Sequence, residues 1–183
     1  MGRMTTGFVV SLPQFSRGAE ADEPQLKQFV SQHGRFSVLM PGTPIADSEP
    51  VRLEDGGTIT IHSFVVALNN DNVTYTVTYS ALQLEQKTFS PQAFLERSRD
   101  AVVSTLGAGA RLLSDSAIDL DGAPGRAFAV QKGDDIGVAQ RVYVVNDRLY
   151  QLIVGASNGH RAANRDAFLN SFRIVGGRVG RLM

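Results

Sequence analysis

The segment that comes nearest to a catalytic motif is residues 155–159, which read Gly-Ala-Ser-Asn-Gly. A G-x-S-x-G segment between a strand and a helix can expose a nucleophilic serine, and His160 follows directly as a candidate base. A small serine hydrolase using Ser157 and His160 is therefore one hypothesis. Against it, 18 glycines make a chance match common, and only 24 residues follow Gly159 to supply the rest of a triad. A turn with a helix cap is the favoured interpretation.

The histidines and carboxylates show no metal-ligand spacing. The three histidines fall in a predicted linker, a strand and a helix start: His33, His62 and His160. Asp119-x-Asp121-Gly122 is similar to the start of a calcium loop, but Ala123 and Val130 stand where that loop needs ligands. We interpret this segment as a hairpin turn and predict neither a metal site nor another cofactor.

Composition excludes several classes of function. The 183-residue chain carries 18 basic and 18 acidic side chains, whereas a nucleic-acid-binding domain is normally strongly basic. The absence of cysteine excludes a disulfide scaffold, a cysteine-ligated metal and a lipid anchor on a thiol. No apolar run approaches the ~18 residues that span a bilayer. We expect a globular domain with no nucleic-acid partner and no transmembrane segment.

The charges are distributed unevenly along the chain. Residues 44–86 carry a net charge of −5, and residues 148–183 carry +5, all of the positive charge from arginine. A protein polarised in this way can orient on a charged partner or an anionic lipid surface. The alternative is that the two regions face each other or are simply solvated. The candidate partner-binding side chains are those of the predicted C-terminal helix and tail: Arg161, Arg165, Arg178 and Arg181.

Alternating apolar residues and regular turn residues predict strands from residue 35 onward. Residues 36–40 read as a strand that ends at the prolines of residues 41–44, and a loop follows. Residues 58–68 and 73–82 read as a half-buried hairpin around residues 69–72, because asparagine and aspartate tolerate positive φ.

A helix and a four-strand meander are predicted next. Ser90 and Pro91 are typical N-cap and first-turn residues, apolar residues recur at helical spacing, and Gly107 predicts the helix end. Three short turns then link four strands, and turns this short allow only antiparallel neighbours. The strands cover residues 111–120, 125–131, 136–145 and 148–156.

The C-terminal part reads as a second helix and a last strand. Asn158 is the expected N-cap of a helix that runs to about Ser171 and buries Ala163, Ala167 and Phe168. Residues 172–175 read as a short strand. The whole order predicts an α+β domain over residues 35–175, with an antiparallel sheet of about six or seven strands and two packed helices.

Both ends of the chain differ in character from this domain. Residues 176–183 read as a flexible basic tail, and residues 1–34 as a leader or linker with one helical turn over residues 24–33. The leader has a short apolar patch and Ala19-Glu20-Ala21, which resemble the second half of a secretory signal. This favours export, and a cytoplasmic protein with a disordered N-terminus is the alternative.

The layout resembles the PsbP-like family, which includes the extrinsic lumenal subunit of photosystem II. The resemblance rests on the strand-Pro-Gly opening at residues 36–42 and on the helix-to-strand stretch Phe-Leu-Asn-Ser-Phe-Arg-Ile at residues 168–174. It implies an αβα sandwich and a non-catalytic accessory domain, often exported, with partners among membrane complexes. The corresponding compartment would be the periplasm or the thylakoid lumen.

These observations together favour a non-enzymatic binding or accessory domain that acts on a membrane-associated protein complex. Two alternatives stay open at this point. One is the hydrolase with Ser157 and His160, and the other is a carrier of a small apolar ligand held between sheet and helix.

Overall fold

A computed structural model of the protein describes residues 24–53, 56–82 and 90–176. Within these residues it contains ten strands and two helices, so the predicted α+β class is confirmed, with strands dominant. Helix α1 spans Pro91–Leu106 and α2 spans Arg165–Asn170. The strands are β1 Lys27–Ser31, β2 Phe36–Met40, β3 Ile45–Arg52, β4 Thr58–Leu68, β5 Val73–Ala81, β6 Ala110–Leu120, β7 Ala123–Lys132, β8 Ile136–Val145, β9 Arg148–Ser157 and β10 Arg173–Ile174.

Seven strands form one antiparallel sheet in the order β3-β4-β5-β9-β8-β7-β6. The predicted meander is confirmed as β6 to β9, with strand ends within about two residues of those expected from the turn signals. Asp121 and Asn146 adopt φ of 53° and 54° in its two tightest turns. The predicted hairpin is β4 and β5, and Asn69, Asn70 and Asp71 all have positive φ in its turn.

A second, three-stranded sheet has the order β1-β2-β10. The prediction of a single sheet is wrong, because the strand predicted at residues 36–40 is β2, which pairs with β1 and β10 and not with the large sheet. The predicted helical turn over residues 24–33 is also wrong, since that segment contains β1. Strand β1 thus lies within the stretch that was assigned to a leader or linker.

The loop predicted between the first strand and the hairpin is strand β3, which pairs with β4 over its full length. Its side chains are almost all exposed, so no alternation of apolar and polar residues marks it. Pro50 is tolerated because β3 lies at the edge of the sheet. Proline has no N–H to donate, and on its open side an edge strand has no neighbouring strand that would need that hydrogen bond.

Helix α1 begins and ends at the predicted residues. The Ser90 Oγ accepts a hydrogen bond from the Ala93 N–H at 3.4 Å, and Gly107 ends the helix with φ 76°. Leu95 and Leu106 are buried against β7, β8 and β9, where Phe128 and Val142 form part of the same apolar cluster. The helix therefore covers one face of the large sheet. No helix in the described part of the chain is long and apolar enough to cross a bilayer.

The small sheet and α2 cover the opposite face. Phe36 and Met40 of β2 pack with Tyr75 and Tyr150 of the large sheet, and Phe168 of α2 meets Tyr75 edge to face. The molecule is thus layered as a helix, a seven-stranded sheet, and a small sheet with a short helix. This corrects the expected layer on that side, which was to be a helix alone.

Helix α2 is shorter than predicted, since it begins at Arg165 and not after Asn158. Asn158 has φ 53° and ends the strand β9 in a turn. Phe168 is buried as expected, but Ala163 and Ala167 are exposed. Because α2 has only about one and a half turns, it buries only the side chains that face the sheet.

Strand β5 is buried on both faces, whereas a half-buried strand was predicted from the alternation of its residues. Tyr75 and Val77 are 0% exposed on one face, and Thr74 and Thr78 are only 3% and 2% exposed on the other. The reason is position: β5 lies between β4 and β9 near the middle of the large sheet.

Candidate functional site

Ser157 lies at the end of β9 and is 4% exposed. Its Oγ donates to Asn72 Oδ1 at 3.2 Å, so the hydroxyl fixes the end of β9 to the β4–β5 turn. His160 meets Ser157 through the backbone, where the His160 N–H donates to the Ser157 carbonyl at 3.0 Å. In the described residues, the hydroxyl has an amide partner and no base. This geometry gives the hydrolase hypothesis no support.

The metal-site candidates do not converge. Among the residues that the structure describes, no group of three or more potential ligands could hold a metal ion. The rings of His33 and His62 lie 6.5 Å apart between centroids. The Asp119 carboxylate accepts a hydrogen bond from the Gly122 N–H at 2.8 Å, as expected for the hairpin turn predicted there.

A small cavity lies beside the β8–β9 turn, on the side of the small sheet. Its volume is about 30 Å³, which is space for about one water molecule. A pocket for a small ligand normally measures about 300–1,000 Å³. This cavity is therefore too small for an apolar cargo. It is lined by Arg35, Val145, Asn146, Asp147, Arg148, Tyr150 and Ile174.

Two of the four candidate arginines lie in the described structure. Arg161 and Arg165 are exposed near the end of the sheet where β9 finishes. The Arg165 Nε donates to Asp166 at 2.8 Å, and this hydrogen bond raises the Arg165 pKa. Arg178 and Arg181 lie outside the described residues. The chain reaches Gly176 at the opposite end of the sheet, because the Val175 N–H donates to the Arg35 carbonyl at 2.8 Å.

That opposite end carries a tightly held turn between β1 and β2. Arg35 has φ 55°, and its N–H donates to the Gln32 carbonyl at 3.3 Å. The Gly34 N–H donates to the Ser31 Oγ at 3.0 Å. A side chain at Gly34 would not fit, since a Cβ there would lie 2.6 Å from the buried Phe36 ring. The conformation of the turn is therefore fixed locally.

Strand β9 holds the same turn from the other side. Arg148 Nη1 donates to the His33 carbonyl at 2.9 Å, and the Tyr150 hydroxyl donates to the Gly34 carbonyl at 2.8 Å. Together with the bond from Val175 to Arg35, three successive carbonyls are each bound to another element. The side chains of His33 and Arg35 remain exposed. We use the name Arg35–Arg148 surface for the side chains of Arg35 and Arg148, which line the small cavity, together with that of the neighbouring His33.

The guanidinium group of Arg148 packs on an aromatic ring, which in turn stacks on a second ring. Its guanidinium carbon lies 5.6 Å from the centre of the Tyr79 ring, a cation–π contact. Tyr79 in turn stacks on His62 at 4.6 Å, and His62 Nδ1 lies 2.7 Å from the Ser48 hydroxyl. Burial raises the pKa of both Tyr79 and Tyr150, so both remain neutral at physiological pH. The positive charge of Arg148 therefore has no phenolate counter-ion.

No sequence motif marks Arg35 or Arg148. Arg148 contributed to the positive segment only as one charge among six, and Arg35 stood at the start of a strand with no motif around it. The pairing depends on the β1–β2 turn meeting β9, which no local pattern indicates. The one local signal was Gly34, a glycine between two long polar side chains at a strand boundary.

The fold is similar to that of a solved protein structure, although no sequence comparison finds a match. No protein-family model matches the chain, and no curated protein sequence matches it. The solution structure of cyanobacterial PsbP (CyanoP) from Synechocystis sp. PCC 6803 is similar with a TM-score of 0.53 at 15% identity, over 87% of this chain and 97% of that one. PA94 of Pseudomonas aeruginosa, a protein of unknown function, gives a TM-score of 0.40 at 8% identity over 79% of this chain and 92% of that one. The CyanoP match confirms the PsbP-like resemblance at the level of the fold.

Proposed function

We propose that the protein is a non-enzymatic accessory protein, exported from the cytoplasm, that binds a membrane-associated protein complex. The single observation that carries this proposal is the PsbP-like fold, which spans almost the whole of the CyanoP chain. A photosynthetic complex is the class of partner that the resemblance suggests. The αβα sandwich of that family corresponds here to α1 on one face and the small sheet with α2 on the other.

The interior of the described fold supports a role at the surface. Both faces of the large sheet are covered by apolar clusters, and the cavity beside the β8–β9 turn has room for only about one water. In the described residues, every buried side-chain nitrogen and oxygen has a hydrogen-bond partner. A catalytic site usually keeps polar groups poised in a cleft for a substrate, whereas these groups are occupied in holding the fold.

Affinity capture tests this proposal. The tagged, full-length protein is expressed in its native cells, membrane and soluble fractions are separated, and the proteins that co-purify are identified and quantified. We expect one complex from the membrane fraction, in stoichiometric amount and released by salt, because exposed charge pairs are screened by ions. An untagged strain is the control. Recovery of the protein alone from both fractions would contradict the proposal.

Export has a separate test. The mature protein is isolated from native cells, and its N-terminus and compartment are determined. We expect a new N-terminus close to Ala21 and recovery with periplasmic or lumenal proteins. An uncleaved chain in the cytoplasmic fraction would show that the apolar patch and the Ala19-Glu20-Ala21 segment are not a signal.

The four arginines chosen from the sequence remain a proposal for the binding side chains. A variant with Arg161, Arg165, Arg178 and Arg181 all changed to glutamine is expected to bind the complex more weakly and with a shallower salt dependence. Unchanged capture by this variant would exclude that set.

A further inference from the structure

We propose that Arg35 and Arg148 together bind a side-chain carboxylate in an acidic segment of the partner protein. This inference rests on the proposed function, because it names the chemistry of the surface through which the accessory protein would bind. Both arginines line the same small cavity, and both act electrostatically on the Tyr150 hydroxyl beside it. A carboxylate oxygen is about the size of the water that this cavity can hold.

The Arg148 guanidinium and the Arg35 backbone are held in position before any partner arrives. Arg148 is fixed by its bond to the His33 carbonyl and by the Tyr79 ring beneath it. The backbone of Arg35 is fixed by its own N–H and by its carbonyl, which Val175 binds. A surface that is already ordered loses little conformational entropy on binding, so more of the contact energy appears as affinity.

Both groups also have donors left for a partner. In the described residues neither Arg35 nor Arg148 forms an ion pair, whereas Arg99, Arg126 and Arg165 each have a carboxylate within 3.5 Å. A guanidinium has five N–H donors, and Arg148 uses one of them on the His33 carbonyl. The planar arrangement of these donors suits a carboxylate, which can accept two of them side by side.

A carboxylate on a protein fits this surface better than an anionic membrane. Segments that bind anionic lipid usually present about four to eight basic side chains in a cluster. Here the two arginines share their cavity with Asp147, which would repel a uniform layer of negative charge. A single carboxylate at this cavity meets two positive charges and one negative charge, so attraction outweighs repulsion.

Binding of an acidic peptide to the full-length protein tests the inference. The probe is a hexaglutamate peptide with blocked ends, titrated into isotopically labelled protein and followed by amide chemical shifts. We expect the largest shift changes in residues 33–35 and 146–150. We expect affinity to fall by about fivefold to tenfold in Arg35→Asn, which removes a charged donor at a partly exposed site. We expect a similar loss in Arg148→Lys, because lysine keeps the charge but cannot present two donors side by side to a carboxylate. Asparagine is chosen at Arg35 because it tolerates positive φ.

Matched variants separate a specific surface from general attraction. Arg97 is an exposed arginine on α1, on the other face of the large sheet, and Arg97→Gln is expected to change the affinity by less than about twofold. Asp147→Asn removes the negative charge at the cavity and is expected to tighten binding by about twofold to fivefold. Equal losses in Arg97→Gln and Arg35→Asn, or shift changes centred elsewhere, would overturn the inference. Binding to phosphatidylglycerol vesicles that depends on Arg35, with no binding of hexaglutamate, would also overturn it in favour of a lipid surface.

Failure of this inference and failure of the proposed function give different results. If the wild-type protein captures a membrane complex and Arg35→Asn captures it equally well, the accessory function stands and the Arg35–Arg148 surface is not its docking site. If hexaglutamate binds at residues 33–35 but no complex is captured, the surface binds carboxylates and the accessory function is wrong.

Discussion

Replacing Asp115 with asparagine tests how α1 is fixed to the large sheet. Asp115 lies on the edge strand β6, and its carboxylate accepts one hydrogen bond from Arg99 of α1 at 2.5 Å and two from Arg126 of β7, both at 2.6 Å. One side chain therefore joins the helix to two strands. Asparagine keeps the shape, but it loses the charge and turns an amide NH₂ group toward guanidinium donors.

The expected loss of stability follows from the number of bonds and their exposure. A hydrogen bond to a charged group stabilises by about 1.5–3 kcal/mol, so three isolated bonds set an upper bound of about 5–9 kcal/mol. Asp115, Arg99 and Arg126 are 17%, 19% and 13% exposed, so water replaces part of each lost bond. Asp100 and Glu96 continue to pair with the two arginines. We expect a loss of about 2–3 kcal/mol, or about 4–12 °C in Tm.

The same substitution has a defined pH dependence. Hydrogen bonds from Arg126, the largest cause, and from Arg99 hold the pKa of Asp115 below its ordinary value of 3.8. Because the folded pKa is lower than the unfolded one, the unfolded chain binds more protons in acid. The stabilisation by Asp115 is therefore complete above about pH 5 and is lost as the pH falls through the folded pKa. The difference between wild type and Asp115→Asn is expected to shrink below about pH 4.

Urea unfolding followed by circular dichroism measures both effects, since the chain has no tryptophan for a fluorescence signal. Asp100→Asn is the matched control. Asp100 pairs with the same Arg99 at 2.7 Å but is 64% exposed, so we expect its loss to stay below about 0.5 kcal/mol. A loss below about 1 kcal/mol in Asp115→Asn at pH 7, or an equal difference at pH 7 and pH 3, would refute the reasoning.

Four further substitutions have outcomes set by named contacts. Leu95→Ala, at a 0% exposed position of α1, should lower the free energy of unfolding by about 2–5 kcal/mol in urea unfolding. Tyr150→Phe should cost about 1–3 kcal/mol in the same assay, because the buried Gly34 carbonyl loses its donor. Gly34→Ala should cost about 1–3 kcal/mol, since its Cβ would lie 2.6 Å from the Phe36 ring, and a neutral result would show that the turn can shift. A fluorophosphonate probe should label neither wild type nor Ser157→Ala, and labelling of wild type alone would establish the hydrolase instead.

The parts of the fold that the sequence predicts are those with a local physical cause. Ser90 and Gly107 bound α1 because a cap oxygen and a positive φ are needed at those two positions. The meander strands end where asparagine or aspartate adopts positive φ, as at Asp121 and Asn146. Such residues determine the turn themselves, so the turn can be predicted from the local sequence without knowledge of the neighbouring strands.

The elements that escaped prediction depend on their neighbours. β3 is stabilised by pairing with β4 along its whole length, while its own side chains are exposed and carry no period-two pattern. β1 is a five-residue edge strand whose polar and apolar residues fit a helical turn equally well. β2 was recognised as a strand, but its sequence holds no information on which sheet it would join. In each case the pairing partner, not the segment, decides the structure.

The Arg35–Arg148 surface could not be predicted from the distribution of charge along the chain. The net charge of +5 over residues 148–183 indicates one basic face only if that segment is compact, and its described part, residues 148–176, is not. Strand β9 extends over ten residues from Arg148 to Ser157, and at ~3.3 Å per residue it separates its ends by about 30 Å. Arg148 therefore lies at one end of the sheet and Arg161 near the other, beyond the range over which exposed charges act together in physiological salt. The positive neighbour of Arg148 is instead Arg35, 113 positions earlier in the chain, because the β1–β2 turn of the small sheet packs against the start of β9.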